Sequence, residues 1–401
     1  MGKKERIYKL AMEIVNELNS DNKVLLSSLN PGDSFVAGEE EFIVLDHEYN
    51  GGTLAITKGF VTDESVEFGE STDYCSSNLK KVIENNIENP LIAKIGKENF
   101  IKHEVSLESV DGQNKSKVTE EIFRPITFDE ARKYNDLLVC KKLNDWWWTI
   151  TSWSTSDRGW SSVAVVAPGG IISAITAAAM LAFAQFVSLT LISLYQRRKI
   201  KMGKNNLAIE TLQDKINELT KAMEVLKKES RLLPAGLKIG DTFNLATIEW
   251  KILDKTNDGY FCIANSSIGD MKFDSRSNDW SKSKLREYLN NDFLEKIKDE
   301  IGVENILPLG RNLLSLDGID EYEDTVELIS LLTVDEYRKY RKLLPNTGEW
   351  WWLCTPWSTK SNGYESSVTV VAPGGDFDCI SCCYNGGVRP ICILKSKIFE
   401  S

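Results

Sequence analysis

Ser366-Ser-Val-Thr-Val-Val-Ala-Pro-Gly-Gly375 repeats, with one change, the earlier stretch Ser161-Ser-Val-Ala-Val-Val-Ala-Pro-Gly-Gly170. A β-branched run that ends in Pro-Gly-Gly reads as a strand running into a turn. Its recurrence makes internal duplication the first fact about the chain. Working outward, Trp146-Trp147-Trp148 returns as Trp350-Trp351-Trp352, and Trp153-Ser-Thr as Trp357-Ser-Thr. Further upstream, Thr127-Phe-Asp-Glu-Ala-Arg-Lys-Tyr134 returns as Thr333-Val-Asp-Glu-Tyr-Arg-Lys-Tyr340, and Asn30-Pro-Gly-Asp-Ser-Phe35 as Ile239-Gly-Asp-Thr-Phe243. The offset shrinks only from 208 to 204 or 205, so the two copies share one architecture.

Each copy reads as a small α+β unit with a β-rich, Trp-heavy C-terminal half. In the second copy Ile248–Leu253, Gly259–Ala264, Val368–Val371 and Ile391–Leu394 are expected strands, and Lys282–Leu289 an expected helix. Thr127-x-x-Glu130 and Thr333-x-x-Glu336 are capping boxes, each opening a helix. The adjacent carboxylates Asp335 and Glu336 suit that helix's first turn, where negative charge meets the macrodipole, better than acid–base catalysis. The organisation expected is an N-terminal helix at 1–28, a first repeat at 29–195, a basic junction and helical linker at 196–232, and a second repeat at 233–401. In the linker Ile209, Leu212, Ile216, Leu219, Met223 and Leu226 recur at intervals of three and four. That spacing fits a short coiled coil or one amphipathic helix lying on its own domain. A shorter stripe at Ile7, Leu10, Ile14 and Leu18 makes a homo-oligomer through helical segments an expected partner arrangement.

Composition limits the chemistry. The 401 residues carry 42% apolar and 27% charged side chains, a globular balance, with a net charge of −11. An acidic chain lacks the basic footprint of general nucleic-acid binding. There are 11 Trp but only 2 His, at 47 and 103 in the first copy. Any function both copies share therefore runs without imidazole, which excludes Ser-His-Asp and Cys-His nucleophiles and the common zinc sites. Cys379-Ile-Ser-Cys382-Cys383 holds a C-x-x-C spacing, but without a second ligand pair it reads as loop thiols. No metal, cofactor or catalytic residue is assigned. The charged N-terminus has no apolar signal-peptide core, which points to a reducing compartment or a virion.

The second copy then resembles a known family. Ile248-Glu-Trp-Lys-Ile-Leu253, Ser283-Lys-Leu-Arg-Glu-Tyr-Leu-Asn290, Leu331-Leu-Thr-Val-Asp-Glu-Tyr337, Trp350–Trp352 and Gly387-Val-Arg-Pro390 occur in that order. They are similar to an uncharacterised bacterial and phage domain family with Trp-Trp-Leu and terminal Gly-Val-Arg-Pro motifs. Its C-terminal half resembles the C-type-lectin fold of formylglycine-generating-enzyme relatives and of variable proteins diversified by retroelements. The resemblance covers about 233–395, and 29–195 more loosely, since Phe186-Val-Ser-Leu189 stands where the first copy would need Gly-Val-Arg-Pro. It implies tandem C-type-lectin-like domains. It also implies a displayed face between the Gly-Gly turn and the Gly-Val-Arg-Pro segment: Asp376, Phe377, Asp378, Ile380, Ser381, Tyr384 and Asn385, with Trp357 and Tyr364 on the preceding loop. Asp376 through Asn385 contains no Lys, Glu, Gln, Met or Trp, the types adenine mutagenesis of Asn codons does not reach. An ordinary variable loop accounts for it too. Neither copy has the Glu-Pro-Asn or Gln-Pro-Asp signature of calcium-dependent sugar binding.

Ile171 through Leu194 is the outlier: 24 residues without a charge, followed by Arg197, Arg198 and Lys199. The length meets the criterion for a membrane span, yet the segment also occupies the place of the first copy's last strand. Two functional expectations follow. One is a non-enzymatic binding or display protein, virion- or tail-associated, that recognises a protein or glycan surface ligand. The other is a membrane-anchored receptor with 171–194 as its transmembrane helix.

Overall fold

The computed structural model describes residues 26–62, 65–113, 117–138, 146–154, 162–167, 170–176, 184–185, 189–192 and 233–399. The expected helical stripes at 7–18 and 209–226, and Phe186-Val-Ser, lie outside these residues. The architecture is α+β, and each half of the chain builds the same pair of sheets.

In the second half the first sheet runs in the order Thr242–Leu245, Ile248–Lys255, Gly259–Ala264, Ile391–Lys395, Ile306–Leu307, antiparallel throughout. The first half repeats the order with Ser34–Ala37, Glu40–Tyr49, Gly52–Thr57, Leu189–Ile192, Phe123–Arg124. A strand from the end of each repeat thus closes a sheet begun at its start, so neither sheet is complete until the repeat is. The second sheet is built on the tryptophans. It runs Asp270–Lys272, Asn385–Gly387, Trp351–Pro356, Ser367–Val371, Phe377–Ser381, with the pairing at Trp351 and Gly387 parallel. Its first-half counterpart is Ala184–Gln185, Trp146–Ser152, Ser162–Val166, Ile172–Thr176.

Strand alternation assigns the tryptophans to opposite faces. Trp148 and Trp352 enter the separate core of their own repeat and donate their indole N–H to the carbonyls of Val66 and Met271, both at 2.8 Å. Trp147 and Trp351 turn the other way, into a core shared by both repeats. Trp350 is exposed. Both capping boxes form, opening helices Phe128–Lys133 and Val334–Tyr340. The expected helix at 282–289 starts at Lys284 and runs through a π turn at Leu289–Phe293 into Leu294–Ile301.

The apolar segment 171–194 requires a correction. Its described residues are the strands Ile172–Thr176, Ala184–Gln185 and Leu189–Ile192, the last hydrogen-bonded between two neighbours in the first sheet. A strand with partners on both sides is as continuously apolar as a membrane helix. Among the described residues, no helix is long and apolar enough to cross a membrane.

Candidate functional site

The stretch expected to be displayed is built from the Ala372–Gly375 turn, the edge strand Phe377–Ser381 and the short loop before Asn385. Edge strands leave one side of their backbone unpaired. Here Asp378, Tyr384 and Asn385 are exposed, while Asp376, Ile380 and Ser381 are half-buried. Tyr384 is 65% exposed, and its N–H closes a turn onto the Ser381 carbonyl at 2.9 Å. Tyr364 is exposed on the preceding loop. The Cys382 N–H donates to the Ser366 carbonyl at 2.7 Å, and the Gly387 N–H to that of Trp350 at 2.8 Å. The first of these bonds ties the Tyr364 loop to the Tyr384 loop, whereas Trp350 stands at the other end of the Trp351–Pro356 strand, where Trp351 pairs with Val371 and Gly387. Trp350, Tyr364 and Tyr384 are the large exposed aromatic side chains among the described residues.

Two expected ligand residues are not on that face. Trp357 is buried against Trp153 of the first repeat, with ring centroids 5.8 Å apart. Phe377 is buried beside Tyr337, and its carbonyl accepts from the Trp153 indole at 3.3 Å. Both point into the shared core, because burying that much aromatic surface outweighs displaying it.

The joint between the repeats is reciprocal. Arg132 donates to Asp335 at 2.7 Å, and Arg338 pairs at 2.5 Å with Asp129, the equivalent carboxylate of the other helix. Both guanidiniums lie over the Phe128 ring. Gly318 packs on the Arg132 backbone and Gly112 on that of Arg338. An added Cβ would come within 2.3 Å and 2.9 Å of them, so both positions require glycine. Behind each glycine a buried carboxylate fixes the Trp-Ser-Thr loop. Asp317 accepts from Ser315 and Ser358 at 2.5 and 2.6 Å, and Asp111 from Ser109 and Ser154, both at 2.6 Å. Burial pushes both carboxyls up from their ordinary range, against the pull of those hydroxyls. Sequence reading missed this constellation. The signal available was a further repeated motif, Ser109-Val-Asp-Gly112 against Ser315-Leu-Asp-Gly318.

Arg389 of Gly-Val-Arg-Pro supports the face from behind. It is fully buried, donates to the carbonyls of Ala264 and Asn265 at 3.1 Å, and stacks its guanidinium 4.7 Å from the Trp351 ring centroid. Burial lowers it to about 10. Of the C-x-x-C thiols and their neighbour, Cys382 is buried and Cys379 and Cys383 are half-buried; no cluster of three metal-ligating side chains occurs among the described residues.

Residues 313–396 match a family model described as a domain of unknown function, DUF6273. The match spans the paired Ser-x-Asp-Gly motif, the capped helix, the tryptophan strands and Gly-Val-Arg-Pro of the second repeat. No curated protein and no solved structure matches the chain.

Proposed function

We propose that the chain is a non-enzymatic ligand-binding protein, a tandem of C-type-lectin-like repeats. Only the second repeat carries the ligand face, formed by Tyr364, Asp376, Asp378, Ile380, Ser381, Tyr384 and Asn385. One observation carries the reading: two of the three large exposed aromatic side chains among the described residues, Tyr364 and Tyr384, stand on neighbouring loops that the Cys382–Ser366 backbone hydrogen bond joins. Tyrosine gives contact area at low entropy cost, and small polar neighbours adapt around it. The rigid sheet beneath, pinned by Trp352 and Arg389, holds the face in place without bound calcium. A protein or glycan on a cell surface fits such a face. Presentation in several copies on a virion or tail would add avidity, with the helical stripes at 7–18 and 209–226 as the assembly segments.

The test is binding of the full chain to a glycan array and to intact bacterial cells, beside a Tyr364→Ala/Tyr384→Ala variant. The proposal expects the variant to lose binding at an unchanged melting temperature. Equal binding by the two proteins would refute it.

A further inference from the structure

A cavity of about 380 Å³ lies in the second repeat, well away from the Tyr384 loop in sequence and lined by different elements. Its volume falls within the range of small-molecule sites, about 300–1,000 Å³. The floor is apolar: Phe293 is buried, and Tyr288, Ile248 and Ile268 are half-buried against the repeat's own core. The rim is charged, with Glu249 on one strand and Lys296 on the Leu294–Ile301 helix. Among the described residues, the Glu249 carboxylate accepts from the Asn265 amide alone, at 2.5 Å. Lys296 and the Ser266 hydroxyl have no partner among the described residues. A cation and an anion thus share one cavity without forming an ion pair with each other.

The cavity mouth is a strained turn. Ala246 and Thr247 both hold positive φ, 52° and 62°, and the remaining non-glycine residue of this kind among the described residues is Asn50, a type that tolerates it. Such strain costs on the order of 1–3 kcal/mol per residue and concentrates at functional sites. Here it is held by Glu300, which accepts from the Ala246 N–H at 2.9 Å. The first repeat makes the equivalent turn with Gly38, directly against the helix: a Cβ there would sit 2.7 Å from Leu91 Cδ2, leaving no space. In the second repeat the same turn carries two side chains, Ala246 and Thr247, and both line the cavity.

We propose that this cavity binds a small zwitterion, a free α-amino acid with an apolar or aromatic side chain. Lys296 receives the carboxylate, Glu249 the ammonium, and Tyr288, Phe293, Ile248 and Ile268 cover the side chain. A neutral sugar would leave both charges with hydroxyl partners alone, a poorer use of two unpaired ions. The site is independent of the Tyr364/Tyr384 face.

Isothermal titration of the full chain with L-phenylalanine tests it, with L-phenylalaninamide, 3-phenylpropionate and D-glucose as comparisons. Saturable binding of L-phenylalanine is expected, at least tenfold tighter than that of any comparison compound. Lys296→Gln and Glu249→Gln should each weaken it at least tenfold without moving the melting temperature, whereas Tyr384→Ala should leave it unchanged. Absence of saturable L-phenylalanine binding overturns the proposal, as does equal binding of the amide, the propionate or glucose. Wild-type affinity in both charge variants would do the same.

Discussion

After the shared Pro-Gly-Gly turn the two repeats part company: the first continues with Ile171 to Leu194, uncharged throughout, the second with Asp376 to Asn385 and Gly387-Val-Arg-Pro390. Both solutions close the same sheet with a strand, Leu189–Ile192 in one and Ile391–Lys395 in the other. The capped helices show the same freedom. Glu130 is locked by Arg124, six residues upstream, through bonds of 2.6 and 2.7 Å. Glu336 takes Arg311 from elsewhere in the fold, at 2.6 Å, while Ser330 occupies the position equivalent to Arg124. Duplication has preserved the scaffold and the joint, and has let the partners and the outer surface change.

That comparison can be broken at its strongest point. Glu130→Gln would leave Arg124 buried without its counter-charge, a loss of about 3–5 kcal/mol. Glu336→Gln should cost clearly less, because the Glu336 side chain is 23% exposed against 9% for Glu130. Urea unfolding of the two variants measures both, and equal losses would show that the two locks are equivalent after all.

Next comes the joint. Trp357→Ala removes a buried ring from the shared core and should cost about 3 kcal/mol. Binding to cells or glycans, measured at a temperature where the variant is folded, should persist. Lost binding with unchanged stability would return Trp357 to the ligand face.

Acid should strike the first repeat's lock. Burial alone would raise the Glu130 carboxyl, but the charge and hydrogen bonds of Arg124 win and hold it at about 2. A folded value below the unfolded one contributes stability that is complete above about pH 4.5 and is lost as pH falls toward 2. Melting temperatures across that window should fall for the wild type and much less for Glu130→Gln. Parallel curves would contradict the assignment.

The smallest effect belongs to the surface. Tyr364→Ala and Tyr384→Ala should each change stability by no more than about 0.5 kcal/mol, as judged by the same urea titrations.

Much of the scaffold was legible in the sequence, because capping boxes, strand alternation and the duplicated Trp motifs are local patterns. The joint was not. Asp129 and Asp335 satisfy the first turn of their own helices, so nothing local reveals that Arg338 and Arg132 reach them from about two hundred residues away. Trp357 was ambiguous for the same reason: a Trp-Ser-Thr loop looks alike whether it faces water or another tryptophan. The apolar run at 171–194 left strand and membrane helix both open, since composition alone is shared by the two. Among the proposed ligand residues, Tyr384 and Asn385 were picked out by their place between two motifs and Tyr364 by the loop that precedes them, whereas the Ala246–Thr247 cavity depends on a backbone conformation that residue types do not announce.

The central claim is that the repeats share one core through Trp153 and Trp357, leaving the Tyr384 loop free for ligand. Differential scanning calorimetry of the full chain beside Trp357→Ala tests it most directly. A single cooperative transition in the wild type, split into two in the variant, is the predicted result. One transition at an unchanged temperature in the variant would contradict it.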